Sequence, residues 1–181
     1  MRSNRKLSLD ELNRLSVEQF KEATKNQLII VLDDIRSMNN VGSAFRTADS
    51  FACEEICLVG ITAKPPHREI SKTALGADEA VAWSYFPDIA SCVSYLRNKG
   101  FSIYSIEQVE QPVYLQDFVP VSGEKYALVF GNEVFGVNDD FIEASKGCIE
   151  IPQFGTKHSL NVSVTMGIVI WDILSKLKYQ Y

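Results

Sequence analysis

The sequence predicts an α/β protein, a mostly parallel sheet with helices on both faces. Short uninterrupted apolar runs alternate with stretches whose apolar residues recur at helical spacing, the pattern of strands buried on both sides. Pro87 and Gly100 frame one helical stretch as a first-turn proline and a terminal glycine do. With 181 residues, 46% of them hydrophobic, the chain is one ordinary globular domain able to bury a sizeable core.

Residues 1–26 read as a helical extension of a main domain at 27–181. Ser8-x-x-Glu11 and Ser16-x-x-Gln19 both have the capping-box form, and Leu12, Leu15, Phe20 and Ala23 give a modest apolar face. Such an element either packs on its own domain or reaches towards a large substrate. Strands are expected at 28–33 (LIIVLD), 55–60 (EICLVG), 80–86 (AVAWSYF), 101–107 (FSIYSIE), 126–131 (YALVFG) and 147–152 (GCIEIP). Helices are expected at 41–52, 87–99, 138–145 and 159–178. In the first of these, Val41, Ala44, Phe45, Ala48 and Ala52 form a core-facing stripe. Arg46 lies on the opposite side, as either a surface partner for Asp49 or a functional cation. In the last, Ser159 suits an N-cap, Asn161 falls in the first turn, and Ile168, Trp171 and Ile173 offer apolar surface for a second copy of the chain.

Composition excludes several classes. A net charge of −5 and a pI near 5.1 argue against coating nucleic acid by bulk charge, yet KPPHREISK (64–72), with Lys64, Arg68 and Lys72 against one Glu69, leaves room for a local basic face. Four cysteines without a CxxC pair and two histidines make a metal site unexpected and suggest reduced thiols in the cytoplasm. The polar N-terminus lacks a secretory pattern, and VSVTMGIVIWDIL is too short and too polar to span a membrane. No GxGxxG, GxxxxGK[ST] or GxSxG is present, and His158-Ser159 are neighbours that diverge on a helix, a poor base–nucleophile pair.

In a parallel sheet the ligand site lies beyond the carboxyl ends of the strands. That rule gathers three loops, SMNNVG, GNEVFG and QFGTKHS. Glu133 follows a buried strand and precedes Val-Phe, where a carboxylate usually has a hydrogen-bonding task. Asn161 needs polar partners, and a helix start also suits an anionic group.

Together these loops resemble the three motifs of the SpoU (TrmH-type) branch of the SPOUT methyltransferases. NNVGSAFRTADSF is similar to motif 1, with Asn40 and Arg46 at matching positions. LVFGNEVFGV is similar to motif 2, with Gly131 and Glu133 matching, and IPQFGTKHSLNVSV to motif 3, with Ile151, Pro152, Gly155, Ser159, Leu160 and Asn161 matching. SKTALGA (71–77) is similar to a segment between motifs 1 and 2, and the resemblance spans about 28–175. Val134 and Gln153 stand where the family often has glycine and methionine.

The resemblance implies a C-terminal deep trefoil knot, a homodimer, and S-adenosylmethionine held by backbone groups at Gly131, Ile151 and Leu160, with Val129, Phe130 and Gly155 in the same motifs. It implies methyl transfer to a ribose 2′-hydroxyl of tRNA or rRNA, with tRNA favoured for so small a chain. The implied catalytic set is Arg46, as base or as stabilising cation, with Asn40, Glu133, Ser159 and Asn161. The alternatives are an inactive RNA- or cofactor-binding module of the same fold and a base-modifying SPOUT enzyme.

Overall fold

The computed structural model describes residues 4–8 and 10–178. Its elements are a 3-10 turn at Asp10–Leu12, then α1 (Val17–Glu22), β1 (Asn26–Asp33), α2 (Met38–Ser50), β2 (Cys53–Val59), α3 (Arg68–Ala74), α4 (Ala77–Ala80) and β3 (Trp83–Phe86). They continue with α5 (Ile89–Asn98), β4 (Phe101–Ile106), β5 (Val113–Tyr114), β6 (Lys125–Phe130), α6 (Asp139–Ala144), β7 (Gly147–Glu150) and α7 (Val162–Lys178). The strands form one sheet in the order β3-β2-β1-β6-β4-β7-β5, and every pair in it is parallel.

Strand pleating divides the core into two layers. Leu28, Ile30 and Leu32 of β1 join Tyr126, Leu128 and Phe130 of β6 on one face, covered by α2, α3, α4 and α7. Ile29 and Val31 join Ala127 and Val129 on the other, covered by Cys92, Val93 and Leu96 of α5 and Phe141 of α6. Period-2 alternation explains why these strands read as continuous apolar runs. All four cysteines are buried and free. Burial pushes the Cys53 thiol up to about 12 and raises that of Cys148, helped there by the Glu107 charge.

Strand order is interleaved. β6 enters between β1 and β4, and β7 enters between β4 and β5, so late strands sit between earlier ones. The carboxyl ends of β1, β6, β4 and β7 are therefore side by side, and their four following loops share one edge.

Several elements differ from expectation. The first long helix opens at Met38 rather than Val41, because Ser37 Oγ accepts from the Asn40 N–H and caps it. The last opens at Val162 rather than 159. Asn161, not Ser159, caps it: Asn161 Oδ1 accepts from Ser163 N at 2.8 Å, and its carbonyl accepts from Thr165 N. Ile173 faces the core with Met166, Val169, Ile170 and Leu174, leaving Ile168 and Trp171 outside. The two-residue β5 and the short helices α3 and α4 were not foreseen; α4 takes the residue assigned to the start of β3. At the N-terminus Ser16 and Gln19 form a reciprocal capping box, and Phe20 packs into the first core layer.

Two contacts fix the site end of the fold. A Cβ on Gly42 would overlap Thr73 Oγ1 and the Ile70 carbonyl, so this glycine lets α2 lie directly on α3. Asp33, buried at the end of β1, accepts from Asn138 N at 2.7 Å and ties the start of α6 to the sheet. Burial holds its carboxyl up at about 6, against the pull of that N–H.

Gly42→Ala is expected to cost about 1–3 kcal/mol by overpacking, read from urea unfolding. Asp33 binds its proton more tightly in the folded chain than in the unfolded one. Its contribution is complete below about 3.8 and lost as pH rises to about 6. Relative to the wild type, Asp33→Asn should therefore gain stability across that window, by up to roughly 3 kcal/mol. Parallel pH–stability curves for the two proteins would refute the assignment.

Candidate functional site

The site is organised around Glu133 in the loop after β6. Its Oε2 accepts from Arg36 N at 3.0 Å, and its Oε1 accepts from Ser37 N at 3.0 Å and Asn40 Nδ2 at 2.9 Å. Burial works against this charge, but the three donors and the residue's own N–H more than offset it and hold the carboxyl below its ordinary range. Neighbouring Asn132 donates from Nδ2 to the Asp34 carbonyl at 2.7 Å and accepts from Val134 N and Phe135 N. Two adjacent side chains thus fasten the β6 loop to the segment between β1 and α2. At Gly131 a Cβ would collide with the backbone of Gly136 and Val137, so the loop closes on itself only with glycine.

A cavity of about 480 Å³ opens beside this clasp, at the carboxyl ends of β4, β6 and β7. Phe130, Gly131, Glu133, Ile151, Ser159, Leu160 and Asn161, all expected from the sequence, line it. Val129 does not: it lies fully buried in the second core layer, because the pleat turns it away from its neighbour Phe130. Gly155 stands in the exposed stretch beyond the wall. Sequence reasoning missed Glu107, Gln108, Glu150, His158 and Thr165 on the wall. Glu107 Oε2 accepts from Val137 N at 2.8 Å, and Gln108 Nε2 donates to the His158 carbonyl at 3.0 Å, so the end of β4 holds the two loops that frame the cavity. These pairings are long-range and left no local signal. The charge of the wall has one sign: three glutamates (Glu107, Glu133, Glu150) and no lysine or arginine.

Arg46 and Asn40 stand outside this cavity. The Asn40 amide is spent on Glu133, and no hydrogen bond links it to Arg46 among the described residues. Arg46 is exposed and makes no ion pair with Asp49 among the described residues. It lines a separate open cleft of about 540 Å³ between α2, α3 and the first turn of α7. That turn separates the two spaces, with Asn161 and Thr165 on the cavity and Ser163 and Val164 on the cleft. No group of three or more His, Cys, Asp or Glu among the described residues could hold a metal ion. No described helix is long and apolar enough to cross a membrane.

The chain is similar in sequence and in fold to known proteins. Residues 27–171 match the model of the SpoU rRNA methylase family. An uncharacterised tRNA/rRNA methyltransferase of Borreliella burgdorferi is 32% identical over 161 residues, 89% of this chain and 69% of that protein. The tRNA (guanosine(18)-2'-O)-methyltransferase of Thermus thermophilus is 27% identical, across 90% of this chain and 81% of that one. Among solved structures, the A. aeolicus TrmH/SpoU tRNA modifying enzyme superposes with a TM-score of 0.78 at 21% identity, covering 91% of this chain and 83% of that one. The AdoMet-bound rRNA methyltransferase of Sinorhizobium meliloti gives 0.76 at 22% identity; the match covers 84% of this chain and 58% of that longer one. These likenesses establish the fold, and the family match over 27–171, which takes in all three loops, establishes the kinship: the chain belongs to the SpoU rRNA methylase family.

Proposed function

We propose that the protein transfers a methyl group from S-adenosylmethionine to a ribose 2′-hydroxyl of tRNA or rRNA. The observation that carries this reading is the pairing of an acidic cavity with a cationic cleft across one helical turn. The cavity fits the cofactor: about 480 Å³ suits a small-molecule site, and three carboxylates with no competing cation suit a positively charged ligand. Ile106, Ile149, Ile151 and Leu160 would flank a flat base, and the backbone of Gly131 would approach it closely. When bound, the cofactor supplies an electrophilic methyl on a sulfonium sulfur.

The chain itself must orient the hydroxyl and ease the loss of its proton. A guanidinium keeps its proton across the working pH range, so Arg46 acts as a cation for the developing alkoxide and a neighbouring phosphate rather than as the base. Glu133 and Asn40 are positioning residues that hold the start of α2, and hence Arg46, in place. Ser159 and Asn161 complete the wall facing the ribose. The interleaved strand order supports the trefoil knot that the family implies. Four free buried thiols support a cytoplasmic location. Residues 1–26, which precede the family match, serve as an arm towards RNA although Phe20 anchors them to the core.

We also propose a homodimer through α7. Ile168 and Trp171 leave an apolar face exposed, and the Trp171 ring lies tilted against Phe51 with centroids 6.3 Å apart. Light scattering should give twice the 20.3 kDa chain mass, and Trp171→Glu should return it to the single-chain value.

Arg46→Ala should leave folding and cofactor affinity unchanged while single-turnover methyl transfer falls by about two or more orders of magnitude. Arg46→Lys should rescue poorly, since a point charge does not replace a planar fork. Methyl transfer to unfractionated tRNA and rRNA, followed by digestion to nucleosides and mass spectrometry, tests the reaction. A 2′-O-methylated nucleoside is expected. A methylated base would favour a base-modifying enzyme, and cofactor binding without transfer a binding module.

A further inference from the structure

The basic stretch at 64–72 is not used by the proposed chemistry, and the structure treats its three cations differently. Lys64 lies over the Tyr85 ring, 3.8 Å from its centroid. Arg68 is exposed at the first turn of α3 and does not line the cleft. Lys72, one turn further along α3, lines the same cleft as Arg46. Its side chain is 71% exposed, and its nearest carboxylate partner is Glu69 at 4.0 Å, the outer limit of an ion pair.

The chemistry of the cleft is one-sided. Arg46 on α2 and Lys72 on α3 supply two cations, and Ser43 and Thr47 supply hydroxyls, while those of Thr73 and Ser163 donate to the Asn39 carbonyl and to Asn161 Oδ1. No carboxylate lines it, in a chain whose net charge is −5. The two cations stand on helices locked together by the Gly42 contact, which fixes where their side chains leave the backbone. A pair of cations on fixed helices beside hydroxyl groups, on an acidic molecule, favours an anion with several acceptor oxygens.

We propose that this cleft seats the phosphodiester backbone of the substrate RNA next to the target ribose, with Lys72 a substrate-binding residue that grips phosphate opposite Arg46. The assignment rests on the RNA methyltransferase reading and adds to it the path of the strand, over α2 and α3 and into the first turn of α7. Lys72 contributes to holding and registering the RNA, while Arg46 acts at the reacting hydroxyl. Loss of Lys72 should therefore appear in RNA affinity and in KM, with kcat spared.

The test compares wild type, Lys72→Gln and Lys72→Arg for binding to unfractionated tRNA across a salt series, with methyl transfer and cofactor affinity measured alongside. Removing one phosphate contact should lower the slope of log affinity against log salt by about 0.7–0.9, and at about 0.1 M salt weaken binding roughly five- to eightfold. Lys72→Arg should restore most of both. Cofactor affinity, thermal unfolding and the transfer rate at saturating tRNA should be unchanged in Lys72→Gln. An unaltered salt slope and affinity would overturn the proposal, and so would a loss confined to kcat or to cofactor affinity. If wild type methylates RNA with Lys72 irrelevant, this assignment alone fails. If tRNA binding depends on Lys72 but no methyl is transferred, the cleft stands and the catalytic reading fails.

Discussion

One carboxylate holds the working end of this molecule together. Glu133 takes three hydrogen bonds from Arg36, Ser37 and Asn40, more than ninety positions away in sequence. Without it, two backbone N–H groups at the surface and the amide of buried Asn40 would lose their acceptor at once, and for a buried group such a loss typically costs about 1–3 kcal/mol. Ser37 and Asn40 also begin α2, so the clasp sets where that helix starts and which way its outer face points. The cavity wall and the Arg46 cleft are two sides of this joint.

Charge is sorted by compartment. The cavity presents glutamates only and the cleft presents arginine and lysine only, with a single turn of α7 between them. Sites of opposite charge suit a cationic methyl donor on one side and a polyanion on the other, and neither site attracts the other's ligand. The acidic overall balance is compatible with an RNA substrate because the basic groups are local.

The sheet and its helices were legible because every inner strand is buried on both faces and because α2 and α5 each carry a clear apolar stripe. Phases were harder. α7 is apolar nearly all round, so periodicity did not distinguish the buried Ile173 from the exposed Ile168 and Trp171. Its start was misread because Ser159 and Asn161 are both good caps, and choosing between them depends on where the preceding loop crosses the sheet edge. Glu133 could be singled out as a carboxylate with a task, since it sits between a buried strand and Val-Phe. Its partners could not, nor could the Asp33–Asn138 and Glu107–Val137 links, which depend on strand order rather than on neighbours in sequence. The short β5 carried no run long enough to register.

The four cysteines acquire a meaning in this setting. A thiolate is the strongest nucleophile an ordinary protein side chain can offer, and an activated methyl donor is an alkylating agent. Cys148 is next in sequence to the wall residue Ile149, making it the cysteine nearest along the chain to the proposed cofactor site. Burial raises its thiol pKa, and the negative charge of Glu107, itself on the wall, raises it further. A carboxylate of the cavity wall thus also acts on a thiol that the strand pleat turns to the opposite side of the sheet.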